Sequence, residues 1–201
     1  METYKNLKKS TKIGLIVSMV FVVFAVGVGF FNLIHFLMND LSAGFIPALK
    51  IVMTLIMSFL TLLYATVGYR KPHGNLLRWM FMVFGFVVAW SEAMPGPPVH
   101  VELQTLGTVC SVTTALIIVF LSGRLQKIKQ NQMLLCVATV FLIAQIVLKM
   151  IASTMVEFMF AVFLDSCIPL FLLLALGFAY VARYEEHKAA GLADKADVEE
   201  K

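Results

Sequence analysis

Glu92, Lys149 and Asp165 stand inside stretches of sequence that are otherwise apolar over about 20 residues, the length that crosses a bilayer. A charge at the centre of a bilayer helix costs roughly 2.5 to 3.5 kcal/mol, so such groups face an interior, pair with one another or meet a ligand. Lys149 with Glu92 or Asp165 is the expected pairing. Asp165 also lies four residues before Pro169, whose ring nitrogen cannot donate to the Asp165 carbonyl. That break either kinks the helix, with neighbours satisfying the carbonyl, or presents it to a cation or solute as the broken helices of transporters do. Asp165, Lys149, Glu92, Asn32, Gln145 and His100 are the candidate ligand-binding residues. His100 and Glu102 with His35 and Asp40 would form a polar rim. They come from separate segments without the local spacing of metal ligands, so no metal or other cofactor is expected. Catalysis would need a paired acid and base such as Glu92 with His100 or Asp165, and nothing in the sequence brings such a pair together.

The elements that must position these groups follow from composition. Of the 201 residues 60% are apolar and 14% charged, against about a quarter charged in ordinary soluble domains. The mean hydropathy is +0.89. The chain reads as an all-α polytopic membrane protein, a compact bundle of six transmembrane helices over residues 13–38, 43–69, 75–94, 101–122, 132–153 and 155–183. Residues 1–183 form one transmembrane domain, and 184–201 a short charged tail, frayed and helix-compatible. Continuous apolar runs exclude a barrel, whose strands alternate and are about ten residues long. Turn chemistry separates the spans at "MNDLSAG", "RKPHGN", "MPGPP", "SGRLQKIKQNQ" and "ASTMVE".

Fourteen of the lysines and arginines cluster before the first span, in the second and fourth connections and after the last span, leaving Lys50 and Lys149 toward the other side. Cytoplasmic loops are enriched in these residues, so both termini are expected inside, and the first span is an anchor without a cleavage site. The absence of large external loops points to a plasma membrane of bacterial type. By this ruler Lys50, His35 and Glu102 lie at the outer boundary, and Glu92, Lys149 and Asp165 roughly 5 to 8 Å inside it. The inner half of the spans is almost free of ionisable groups, so a polar cavity would open outward. Trp79, Tyr69, Tyr180 and Tyr184 read as an inner aromatic belt. Cys110, Cys136 and Cys167 all fall within spans and read as small buried apolar residues. The basic loops are explained by topology, without nucleic acid, and no phosphate-, dinucleotide- or metal-binding motif is present.

Each span also carries a seam of small or polar residues at helical spacing. Ser18, Ala25, Gly29 and Asn32 share a side of the first span, and Lys50, Thr54, Ser58, Thr61 and Ala65 a side of the second. The later seams run through Arg78, Gly85, Ala89 and Glu92; through Gln104, Thr108, Ser111 and Ala115; through Ala138, Gln145 and Lys149; and through Asp165, Ile168, Ala175 and Ala179. Small residues let helices approach closely, which explains most seam positions without a pore. No motif identifies a family. The layout of six spans in about 200 residues, with both ends inside and a polar face outside, resembles the substrate-binding subunits of energy-coupling-factor vitamin transporters in topology alone.

The expected function is a small-solute or ion transport or solute-binding component with a polar site open to the outer side. The alternatives are a membrane interaction or sensory subunit without catalysis, and an intramembrane lipid-modifying enzyme. The expected partners are the lipid bilayer, a small solute or cation, and a second copy or another membrane subunit.

Overall fold

The computed structural model describes residues 7–39, 45–66, 75–92, 101–125, 127–152 and 156–189. Six helices occupy almost all of them: α1 Lys9–Asn39, α2 Phe45–Thr66, α3 Asn75–Glu92, α4 Val101–Ser122, α5 Ile128–Ala152 and α6 Val156–Ala189. Five segments are long and apolar enough to cross a membrane: Lys9–Met38, Ala48–Thr66, Thr105–Ser122, Ile128–Ala152 and Ser166–Ala189. The apolar part of α3, Asn75–Ala89, is shorter. In hydrocarbon the backbone must satisfy its own polar groups, and a helix does so within one segment.

Helix ends follow local chemistry. α3 is described as far as Glu92, three residues before Pro95, and the residue preceding a proline is disfavoured in helical geometry. α4 closes at Ser122 and Gly123 with a tightened turn, the Arg124 amide donating to the Leu121 carbonyl at 2.9 Å. α6 runs unbroken past Pro169. It also continues beyond the expected end at residue 183 as far as Ala189, so the first part of the charged tail is ordered helix.

Successive helices pack as neighbours from α1 through α6. α6 closes the circle against α1 and also touches α2 across the bundle. The first residues of α1, the end of α2, the α4–α5 connection and the end of α6 meet at one end of the molecule, here termed the terminal end. Toward that end and the middle the interior is close-packed. Tyr64, Leu77, Met80, Phe81, Leu121, Leu125 and Tyr180 are fully buried, and the Phe81 ring meets that of Tyr180 edge to face with centroids 6.3 Å apart. The outside is apolar: Ile16, Val20, Phe31, Leu116, Val140 and Ile151 are among the many large hydrophobic side chains exposed. Such a surface suits lipid.

The seams are where the sequence placed them. Ser18, Ala25 and Gly29 of α1, Ser58, Thr61 and Ala65 of α2, Gly85 of α3, Ser111 and Ala115 of α4, Ala138 and Gln145 of α5, and Ile168, Ala175 and Ala179 of α6 are all buried. Glycine allows close approach at two of these positions. A Cβ on Gly29 would lie 2.7 Å from a Leu55 methyl, and one on Gly85 would lie 3.0 Å from a Val119 methyl and 3.1 Å from the Ala115 carbonyl oxygen. Two expectations change. Cys110 and Cys167 are buried, but Cys136 is exposed, because the seam of α5 faces the other way. Tyr180 is not a belt residue at the surface, whereas Trp79, expected in the same belt, is exposed.

Candidate functional site

Two polar regions lie at opposite ends of the bundle. At the terminal end α6 is the hub. The Tyr180 hydroxyl donates to the Leu125 carbonyl in the α4–α5 connection. The Asn131 side-chain amide donates to that hydroxyl at 3.1 Å and to the Arg124 carbonyl at 2.6 Å. Arg183 is buried, and its guanidinium makes a 2.7 Å ion pair with Glu186 one turn further on. The same group donates to the Ala65 and Tyr64 carbonyls at 3.2 and 3.5 Å. These carbonyls belong to the last described turn of α2, so Arg183 ties α6 to that helix. Glu185 accepts from the Thr11 hydroxyl at 3.2 Å and from the Lys8 amide at 3.1 Å, which ties the start of α1 to the same segment.

Composition and charge counting do not reveal this knot, because they read Arg183 as a topological charge and Tyr180 as an interfacial ring. The available signals were the spacing of Arg183 and Glu186, which places them on one helical face, and a lone asparagine at the entrance to an apolar span.

The opposite region holds the expected ligand-binding residues. Gln145 is 5% exposed, an amide buried within an apolar helix. Asn32 and Lys149 are half-buried, and Gln145 and Lys149 are both engaged by other groups. Glu92 and Asp165 lie in α3 and α6, but their side chains fall outside the described residues, as does the whole of His100. The predicted pairing of Lys149 with Glu92 or Asp165 therefore also falls outside them.

Heights along the helices nevertheless relate these positions. Gln145 stands 14 residues from Asn131 and Asp165 stands 15 from Tyr180, roughly 21 and 22 Å at 1.5 Å per residue. Asn131 and Tyr180 touch, so Gln145 on α5 and the Asp165 backbone on α6 share a level between packed neighbours. Lys50 stands 14 residues from Tyr64, whose carbonyl meets Arg183, again roughly 21 Å away. Lys149 lies one turn beyond, and Glu92 about one turn short, 11 residues from Phe81. Gln145, Lys50 and the Asp165 backbone thus share a level, with Glu92 and Lys149 about one turn to either side of it.

The hydroxyls on α2 have a plainer role. Thr54, Ser58 and Thr61 each donate to the carbonyl four residues earlier, at 2.8 Å, and so meet their needs within the helix. Beside Lys50, the side chains of Leu49, Met53, Phe86 and Val87 line a shallow apolar groove between α2 and α3. Among the described residues no group of three His, Cys, Asp or Glu side chains is placed to hold a metal ion.

Compared with protein-family models, curated proteins and solved structures, the chain matches none. The topological resemblance to vitamin-transporter subunits therefore has no structural match beside it, and the functional reading rests on the molecule itself.

Proposed function

We propose that the protein crosses the plasma membrane six times with both termini in the cytoplasm, and binds or carries a small solute or cation at a polar layer open to the outer side. The observation that carries this reading is the burial of Gln145, level with Asp165 and Lys50 and far from the sealed terminal end. A buried amide in an apolar helix costs free energy unless its donors and acceptor are satisfied, and a layer of amide, ammonium and carboxylate groups offers directed bonds to a polar ligand. The fourteen basic residues on the side of the termini support the orientation. α3 completes the sixth span if the helix end beyond Ala89 lies in the membrane boundary.

Native mass spectrometry of protein released gently from its own membrane tests the proposal, with the natural chain compared against Asp165→Asn and Gln145→Leu. The expected result is a small molecule or ion retained by the natural chain and lost from both folded variants. A stable partner subunit with no small molecule, unchanged by either substitution, would replace this reading with that of an interaction subunit.

A further inference from the structure

Within six residues α6 grips three separate neighbours. Tyr180 bonds the α4–α5 connection, Arg183 bonds the last turn of α2, and Glu185 bonds the start of α1. At 100° per residue, Arg183 and Glu185 leave the helix about 60° to one side and about 140° to the other side of Tyr180. The bonds therefore radiate in three directions, and each crosses to a different element. Nearer the middle, the contacts of α6 are apolar: Phe171 stacks on Phe21 with centroids 4.5 Å apart, and the Gly177 surface meets Leu135. Apolar contacts tolerate small slides and tilts, whereas directed hydrogen bonds are either made or broken. The closed arrangement of the terminal end is thus defined by a few residues of one helix.

A second observation shows that closure is not fully satisfied. The Glu186 Oε1 and Arg78 Nε atoms are buried without a hydrogen-bond partner, although Glu186 Oε2 is paired with Arg183. Buried polar atoms left unpaired favour any arrangement that wets them. Glu186 belongs to the same segment of α6, so its unpaired oxygen is a polar atom at the terminal end for which a wetted arrangement offers a partner.

We propose that residues 180–186 of α6 form the latch of a cytoplasmic gate, and that release of the Tyr180, Arg183 and Glu185 bonds lets the ends of α1, α2 and the α4–α5 connection separate. This deepens the reading of the chain as a solute carrier and rests on it. A polar layer reached from outside and sealed from inside can pass its solute onward only by opening the sealed end.

The test is a distance measurement across the gate. Thr66 and Lys127, both exposed, lie at the end of α2 and in the α4–α5 connection. With Cys136→Ala removing the exposed native thiol, Thr66→Cys and Lys127→Cys carry nitroxide labels in lipid nanodiscs, and pulsed dipolar spectroscopy reads their separation. The latched chain is expected to show one short distance. Tyr180→Phe, Glu185→Gln and Arg183→Gln are each expected to add a second, longer distance, its population rising about tenfold per charged hydrogen bond lost.

Tyr180→Phe keeps the shape of the ring and removes only the hydroxyl, so the test stands if Arg183→Gln does not fold. A single unchanged distance in folded Tyr180→Phe and Glu185→Gln overturns the proposal. So does general broadening with loss of helix content, which is what a purely structural role gives. Retained solute with unchanged distances removes the latch and keeps the carrier. A responsive distance with no solute in the native mass spectrum leaves a moving end and removes the carrier reading from which the gate takes its meaning.

Discussion

Replacing Arg183 by methionine removes a cation whose side chain is 6% exposed and leaves Glu186, 14% exposed, without its partner. Breaking a buried pair from one side costs about 3 to 5 kcal/mol, because the remaining charge stays desolvated and uncompensated. The bonds from the guanidinium to the Tyr64 and Ala65 carbonyls are lost as well, at about 1 kcal/mol each. For a chain of this size each kcal/mol moves the unfolding midpoint by roughly 2 to 4 °C, so the pair alone predicts a fall of roughly 6 to 20 °C. The decisive comparison is the double variant Arg183→Met/Glu186→Leu. It removes both charges, so the uncompensated carboxylate disappears and only the two lost guanidinium–carbonyl bonds remain, a deficit of about 2 kcal/mol or roughly 4 to 8 °C. Thermal unfolding in detergent micelles, followed by circular dichroism, gives the three midpoints. Two results refute the reasoning: Arg183→Met melting within a degree or two of the natural chain, or a double variant no more stable than Arg183→Met. Either would mean that water reaches the guanidinium and that the ion pair is a surface one, worth little.

Packing and accessibility give further tests. Gly85→Leu forces a side chain against the Ala115 backbone oxygen and Val119, and is expected to destabilise the α3–α4 contact by about 1 to 3 kcal/mol, read as a lowered unfolding midpoint; unchanged stability would refute the close approach. A membrane-permeant maleimide is expected to add once to the folded protein, at the exposed Cys136, and three times after unfolding, as read by intact mass; early addition at Cys110 or Cys167 would contradict their burial.

How far the structure was legible in the sequence differs between elements for identifiable reasons. α4 was expected over 101–122 and spans those residues, because polar and turn-forming segments bound its apolar run on both sides. α6 was expected to stop at 183 and continues to Ala189. Hydropathy falls at Arg183, but Arg, Glu, Lys and Ala are all good helix formers, so the helix outlasts its apolar stretch. The buried seams followed from the size of their residues, since only small side chains allow backbones to approach. Cys136 did not follow: lipid is as apolar as a protein core, so an apolar residue in a span does not reveal which way it faces. Gln145 was legible because an amide has few places to go within an apolar helix. The partners of Arg183 were not legible, because they are carbonyls whose availability depends on where α2 ends and on how α6 crosses it.

That last dependence bears on how the molecule works. Every helix ends with carbonyls that its own backbone cannot satisfy, and near hydrocarbon such groups are costly to leave alone. The last described carbonyls of α2 lie against α6, and Arg183 is the side chain that reaches them. A donor with a full charge needs a counter-charge, and Glu186 supplies it one turn away, while Glu185 turns to α1. A bond between helices therefore accompanies the charged residues within an otherwise apolar packing. It also makes that end cohere through bonds between elements rather than through apolar contact alone. The polar layer roughly 21 Å away has no such account in helix-end chemistry. Gln145 lies mid-helix, buried and engaged by other groups, and the proposal that this layer holds a polar ligand is what the mass-spectrometric comparison tests.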